Sequence, residues 1–327
     1  MLVVPDVRGV RVDEEIIGMI RSGLPRLSIE LESLIQPSIR IGTQPVSEDS
    51  LPVGASKFGG QPDLPPEITW PLSATLVDVE DIPGEDDTPW TGIPLAFLAQ
   101  LNVPDVAEHD VEGALPSSGM LYFFLEVSDE TNFGSYVEER DSWRVLYYDG
   151  DSSVLVRTPY PIDLPEEGRF SACKVRFGHE ITVPPFESFD YEKLNLSKGI
   201  VGTSLEPMQG VEQANADKSE ENSYGAIVQR LYQLSGGDTP AHRLLGYPDQ
   251  IQGDLQKEAE VDSKGLNWDE VSNSDVGVSQ WRLLLQIDTD EECGWCWGDA
   301  GRVYYLIQSD ALRARDFSRV WTIVHFY

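Results

Sequence analysis

The sequence predicts an α+β protein made of two related, mainly antiparallel β-rich units from an internal duplication, with helices at the N-terminus and between the repeats. Three observations carry this expectation. Gly60, Pro62 and Asp63 recur as Gly246, Pro248 and Asp249 at an offset of 186 residues, and Gln100-Leu101-Asn102 recurs at the same offset as Gln286-Ile287-Asp288. The register then shortens: Gly119-Met-Leu-Tyr-Phe matches Gly301-Arg-Val-Tyr-Tyr at 182, and Trp143-Arg-Val-Leu-Tyr-Tyr matches Trp321-Thr-Ile-Val-His-Phe at 178. Ordered matches with small length changes point to a duplicated unit, and two copies are too few for a solenoid, so a pair about a pseudo-two-fold axis is expected. Finally, 22 Pro and 28 Gly imply many turns and few long helices.

The elements follow in order along the chain. Val12 to Ile20 spaces Ile16, Ile17 and Ile20 at helical intervals, and Ser28 to Ile35 repeats the pattern more weakly. Ser38 to Thr43 alternates like a strand. Leu51 to Pro71 holds too many prolines for regular structure, and the acidic segment Val77 to Asp87 reads as a solvated loop. Pro94 to Asn102, Met120 to Val127 and Trp143 to Tyr148 are strands, the last closed by Asp149-Gly150, and short connections favour an antiparallel meander. Cys173 to Val183 alternates like a further strand. Tyr224 to Leu234 puts Ile227, Val228, Leu231 and Leu234 on one helical face and stops at Gly236-Gly237. Trp281 to Ile287, Gly301 to Ile307 and Val320 to Tyr327 repeat the strand plan. The implied division is residues 1–48 (N-terminal helices and first strand), 49–183 (first unit), 184–222 (polar connector) and 223–327 (second unit).

Composition narrows the function classes. A formal charge of −32 repels phosphate backbones and anionic lipid, so neither nucleic acid nor a membrane surface is an expected partner. The acidity itself reads as solubilising rather than as a docking surface. Met1-Leu-Val-Val-Pro-Asp-Val-Arg has no secretory pattern, and no apolar run approaches the length of a membrane span. Cys173, Cys293 and Cys296 cannot complete a disulfide framework, and a reducing cytoplasm is the expected compartment.

Several stretches resemble the YwqG-like family, a mostly bacterial group defined as a domain of unknown function. They are Ser56-Lys-Phe-Gly-Gly-Gln-Pro-Asp-Leu-Pro with Trp70-Pro71, Phe97-Leu-Ala-Gln-Leu-Asn, Leu115-Pro-Ser-Ser-Gly-Met-Leu-Tyr-Phe-Phe, Leu244-Leu-Gly-Tyr-Pro-Asp-Gln-Ile-Gln-Gly-Asp, Leu283-Leu-Leu-Gln-Ile-Asp and Trp297-Gly-Asp-Ala-Gly-Arg-Val-Tyr-Tyr. The resemblance spans most of residues 38–327. It implies an α+β fold rich in antiparallel sheet in a cytoplasmic protein, with no settled reaction, cofactor or catalytic residue. Family members near bacterial polymorphic-toxin genes suggest, by association, a protein-binding or immunity-type role.

Candidate chemistry is sparse. Cys293-Gly-Trp-Cys296 has redox or half-zinc spacing, but a turn and a strand follow where thioredoxin chemistry needs a helix N-terminus. Four scattered histidines do not complete a zinc site, so both thiols are expected reduced and metal-free beside Trp295 and Trp297. Asp288-Thr-Asp290-Glu-Glu292 departs from the EF-hand pattern and reads as a solvated acidic turn. The strand-borne Gln100 and Gln286 must satisfy their amides if buried, either by bracing a loop or by meeting a ligand. Asp63 and Asp249 pose the same choice at their turns. Gln252, Asp254, Trp297 and Asp299 add groups in the second copy only. If the two Gly-x-Pro-Asp loops meet at one cleft, these eight residues line it, and its acidic walls favour a cationic or hydrogen-bond-donating group. Nucleophile-elbow, Walker, His-Glu-x-x-His and dinucleotide motifs do not occur. The expectation is a protein- or ligand-binding module with no cofactor and no metal. Its alternatives are a hydrolase-like enzyme using Asp249, Asp254 and Asp299, and a thiol redox protein using Cys293 and Cys296.

Overall fold

The computed structural model describes residues 11–73, 92–127, 137–196, 219–237, 239–272 and 275–327. The acidic segment 77–87 and residues 197–218 of the expected connector lie outside them. The chain opens with helices α1 (Arg11–Gly23) and α2 (Ser28–Leu34), then strands β1 (Gln36–Pro45), β2 (Lys57–Phe58), β3 (Asp63–Leu64) and β4 (Ala96–Asn102). The short helix α3 (Val103–Val106) leads to β5 (Met120–Leu125), β6 (Trp143–Tyr148), β7 (Val156–Arg157) and β8 (Cys173–Thr182). Helices α4 (Phe189–Leu194) and α5 (Glu220–Leu234) precede β9 (Arg243–Leu244) and helix α6 (Leu255–Lys264). The chain then runs through β10 (Trp281–Asp288), β11 (Arg302–Gln308), helix α7 (Ser309–Ala314) and β12 (Trp321–His325).

Ten strands form one sheet in the order β12-β11-β10-β9-β1-β8-β2-β4-β5-β6, and β3 pairs with β7 in a small second sheet. All pairings are antiparallel. The centre is β1 against β8, matched from Gln36 opposite Thr182 to Pro45 opposite Cys173. On either side lies a four-strand set, β9 to β12 or β2, β4, β5 and β6. Strand β2 of the large sheet and β3 of the small one fall inside the proline-rich stretch expected to be irregular. They survive because each is only two residues long and lies between the prolines.

The sheet folds over on itself. Trp143 of β6 and Trp321 of β12, on the two edge strands, meet edge to face at 4.9 Å. Trp143 Nε1 donates to Val320 O at 3.0 Å. One strand further in, Phe123 of β5 packs on Tyr305 of β11 at 5.1 Å. Alternation then sorts the side chains. Leu121, Phe123, Val145, Val303, Tyr305, Ile307 and Ile323 fill the shared inner core. Gln100, Tyr122, Gln286 and Tyr304 alternate with core residues along their strands and are fully buried.

A second cluster joins α1, α2 and α5 to the end of β8 through Ile16, Ile20, Leu31, Tyr224, Ile227, Leu231, Ile181 and Val183. The expected helical faces are the buried ones. The Tyr224 hydroxyl donates to Pro184 O and pins α5 to the segment after β8.

Cys173, at the start of β8, is disulfide-bonded to Cys293 in the turn after β10. This corrects the expectation of reduced thiols. The Asp290 and Trp295 main chains pair across that turn, which drives Cys293 into the core and leaves Cys296 exposed. The Cys-x-x-Cys residues therefore face opposite ways, and the redox pair Cys293/Cys296 does not form. No helix among the described residues is long and apolar enough to cross a membrane.

Candidate functional site

Each half carries one Gly-x-Pro-Asp loop, shaped by a glycine with positive φ and braced by a strand glutamine. Gly60 has φ +68° and Gly246 φ +70°. A Cβ on Gly60 would come within 2.0 Å of Glu48 Oε2, and one on Gly246 within 2.7 Å of Ser38 Cβ. The Asp63 amide donates to Gln100 Oε1 at 2.7 Å, and Gln100 Nε2 donates to Ala55 O at 2.8 Å and Asp63 Oδ2 at 2.7 Å. In the second half the Asp249 amide donates to Gln286 Oε1 at 2.8 Å, and Gln286 Nε2 donates to Ala241 O at 2.6 Å and Asp249 Oδ2 at 3.2 Å. The Tyr122 hydroxyl donates to Asp63 O at 2.7 Å, and that of Tyr304 to Asp249 O at 2.6 Å. Even the flanking bonds correspond: Asn102 N donates to Ser56 Oγ at 2.9 Å, and Asp288 N to His242 Nδ1 at 3.0 Å. Both glutamines are fully buried and hold loop backbone.

The charges around the two loops differ. In the first half Lys57 is fully buried, 2.7 Å from Glu48 Oε1 and 3.9 Å from Asp63 Oδ2, and donates to Gln61 O. Burial pulls its amine below the ordinary lysine range, outweighing the neighbouring carboxylates. Arg157 of β7 closes the loop from outside: Nε donates to Asp63 Oδ1 at 2.7 Å, Nη1 to Glu48 O at 2.9 Å and Nη2 to Leu51 O at 3.1 Å. The Asp63 side chain is 0% exposed. Burial would raise its carboxyl, but Arg157 and Lys57 together hold it below the usual range.

In the second half Arg243 stands at the position of Lys57. Its Nη2 lies 2.7 Å from Asp249 Oδ2, and its Nε 3.3 Å from Glu180 Oε2. Arg302 donates from Nη1 to Asp249 O at 3.0 Å, with its Nε 3.0 Å from Asp288 Oδ1. Arg40 reaches Glu180 at 3.5 Å and donates to Pro240 O at 2.9 Å. Burial would raise the Asp249 carboxyl, but Arg243 and Arg302 outweigh it and keep it low. The Asp249 side chain is 40% exposed and lines a cleft of about 770 Å³. One wall is apolar, built from Val183, Phe186, Val228, Leu231 and Tyr232; the other is the arginine and carboxylate network.

The other expected site residues fall elsewhere. Asp254 is the N-cap of α6, where Oδ1 accepts from Gln256 N at 3.0 Å and Lys257 N at 3.3 Å. Its Oδ2 is buried without a hydrogen-bond partner among the described residues, and burial raises the carboxyl to about 6. The Gln252 amide side chain donates to Phe326 O at 2.7 Å. Trp297 is buried, with Nε1 donating to Asp288 O at 3.3 Å. Asp299 is exposed, and its carbonyl accepts from Tyr327 N at 3.0 Å. None of these four lines the cleft, and neither do Asp63, Gln100 or Gln286; of the eight, only Asp249 does.

Asp249 lines this cleft and the fully buried Asp63 does not, so the two loops do not share it. The trio Asp249, Asp254 and Asp299 does not assemble either. The walls are not acidic, since Arg40, Arg243 and Arg302 face Glu180, Glu187, Asp249 and Asp288. The turn at 288–292 is not simply solvated: Asp288 and Asp290 are buried, and Asp290 accepts from Thr43 at 2.6 Å and lies 3.3 Å from His242.

Sequence reasoning missed Arg40, Glu180 and Arg302, which come from three separated strands. Arg243 carried a signal, because it sits 186 residues after Lys57 beside the repeated loop. Among the described residues no group of three or more His, Cys, Asp or Glu is placed to hold a metal ion.

No curated protein matches the chain. A family model described as Domain of unknown function (DUF1963) matches residues 56–325, a span that contains both braced loops and every strand from β2 to β12. The match does not carry the YwqG-like name; by it, the chain belongs to the DUF1963 family.

Proposed function

We propose that this protein is a binding module rather than an enzyme, and that the cleft beside Asp249 is its ligand site. The supporting observation is the contrast between the halves. The first loop is sealed by Arg157, whereas the second presents a partly exposed carboxylate and three arginines to a cleft of about 770 Å³. That volume is in the range of small-molecule and side-chain pockets. Gln286 and Tyr304 hold the Asp249 backbone in place before any ligand arrives, which lowers the entropy cost of binding. We further infer that the halves descend from one duplicated unit. Its support is the equivalence of the two loop networks and the contact of Trp143 with Trp321.

Occluding the cleft tests the assignment. Thr239 is exposed at its wall, so Thr239→Trp places an indole in the opening and costs one bond, from Arg40 Nη2 to Thr239 Oγ1 at 3.4 Å. The variant is expected to melt with the wild type and to lose the molecules that the wild type captures from its host. Undiminished capture by a folded Thr239→Trp protein would sink the assignment.

A further inference from the structure

We infer that the cleft takes a small neutral molecule carrying an aromatic ring, laid between the exposed rings of Phe186 and Tyr232 and the guanidinium groups of Arg40 and Arg302. This rests on the reading of the cleft as the ligand site. The charges along its polar wall are committed to one another. Arg243 forks the Asp249 carboxylate, with Nη1 donating to Oδ1 at 3.0 Å and Nη2 lying 2.7 Å from Oδ2, and Gln286 Nε2 also donates to Oδ2 at 3.2 Å. Asp288 accepts from Ala241 N at 2.8 Å and from Thr289 N at 3.0 Å, and it lies 3.0 Å from Arg302 Nε. Glu180 is held between Arg40 and Arg243. Three arginines against four carboxylates keep the lining within one charge of neutrality. An ion entering the cleft sheds its water without gaining a dedicated counter-ion, so a neutral group is favoured.

The apolar wall is where surface remains to be covered. Phe186 is 40% exposed and Tyr232 45%, and both line the cleft. The Phe186 ring is nevertheless fixed, edge to face on Tyr191 at 5.1 Å and on Tyr224 at 5.6 Å, while its carbonyl accepts from Gln250 Nε2 at 2.6 Å. The Tyr224 hydroxyl, bonded to Pro184 O, anchors that stack to the segment after β8. A ring held in place yet open to solvent packs on a ligand ring at small entropic cost.

The opposite wall favours a flat ring over a saturated one. Arg40 spends Nη1 on Glu180 and Nη2 on Pro240 O, and Arg302 spends Nη1 on Asp249 O. Such bonds lie in the guanidinium plane and leave its faces for stacking, an attraction that a saturated ring does not receive. Both arginines are half-buried, so part of each is reachable from the cleft they line. A concave space of about 770 Å³ suits a free small molecule.

Isothermal titration of the whole protein with four probes tests this: naphthalenemethanol, its charged counterparts naphthylmethylamine and naphthoate, and the ring-saturated decalinmethanol. The naphthyl alcohol is expected to bind about tenfold more tightly than each of the other three. Added salt should leave that affinity unmoved. It should fall about tenfold in Thr239→Trp and clearly in Tyr232→Ala, which removes a ring from the apolar wall. Tyr232→Ala, at an exposed position of α5, keeps the test readable if Thr239→Trp is poorly folded. Tighter binding of the amine or the carboxylate, abolished by Thr239→Trp, would overturn the neutral ligand while leaving the cleft as a site. Equal binding of decalinmethanol would overturn the aromatic ring. Binding of no probe, or alcohol binding indifferent to both variants, also overturns the inference. Host capture by wild type and Thr239→Trp decides the fate of the cleft separately.

Discussion

Asp254 and Asp290 are buried carboxyls pushed in opposite directions. Burial raises Asp254 to about 6 because only Oδ1 finds donors, at the first turn of α6. Its folded value lies above the ordinary 3.8, so the fold favours the protonated form. The associated stability is full below the unfolded value and is lost as pH rises through about 6. Asp254→Asn keeps a good cap without the charge. It is expected to stabilise the protein by about 1–3 kcal/mol at pH 8 and by little at pH 4. Thermal melts across that range check this, and a variant less stable than wild type at pH 8 refutes it. At Asp290 burial alone would raise the carboxyl, but hydrogen bonds with His242 and Thr43 bring it down to about 2. Its stability is present above the unfolded value and lost as pH falls through about 2, so Asp290→Asn should destabilise at neutral pH.

At the level of elements, each loop depends on one amide. Replacing Gln100 or Gln286 with alanine removes the partner of a buried N–H and a half-buried carbonyl (Asp63 and Ala55), or of a half-buried N–H and a buried carbonyl (Asp249 and Ala241). Each substitution should cost about 1–3 kcal/mol. Amide exchange at Asp63 should quicken only in Gln100→Ala, and at Asp249 only in Gln286→Ala. Exchange changing at both loops in either variant would mean that the braces are not independent. The preference for glycine at residue 60 has the same local origin, a left-handed backbone pressed against Glu48.

The whole molecule is held by contacts between its halves, through the tryptophan pair on the edge strands and the bond between Cys173 and Cys293. That bond spans 120 residues of sequence, and losing it should cost about 2–5 kcal/mol. Peptide mapping without reductant is expected to recover Cys173 linked to Cys293 with only Cys296 alkylated, and reductant should lower the melting temperature. Three reactive thiols in the native protein would contradict the pairing. The same closure keeps the two loops apart and leaves one of them open to a cleft.

Periodicity and repetition sufficed for what is local. The helical faces of α1 and α5 and the principal strands β4, β5, β6, β8, β10, β11 and β12 are legible because each follows from spacing along the chain, whereas spacing leaves Gln100 and Gln286 open between bracing a loop and meeting a ligand. Helix α6 was not legible: Asp254 reads equally as cap or ligand until the helix after it exists. The Arg40, Glu180, Arg243 and Arg302 network, the choice of Cys173 over Cys296 as partner for Cys293, and the separation of the two loops were decided by tertiary structure alone. Each depends on which distant strands become neighbours and how a ten-stranded sheet curls, and those are properties of packing the whole core rather than of any segment.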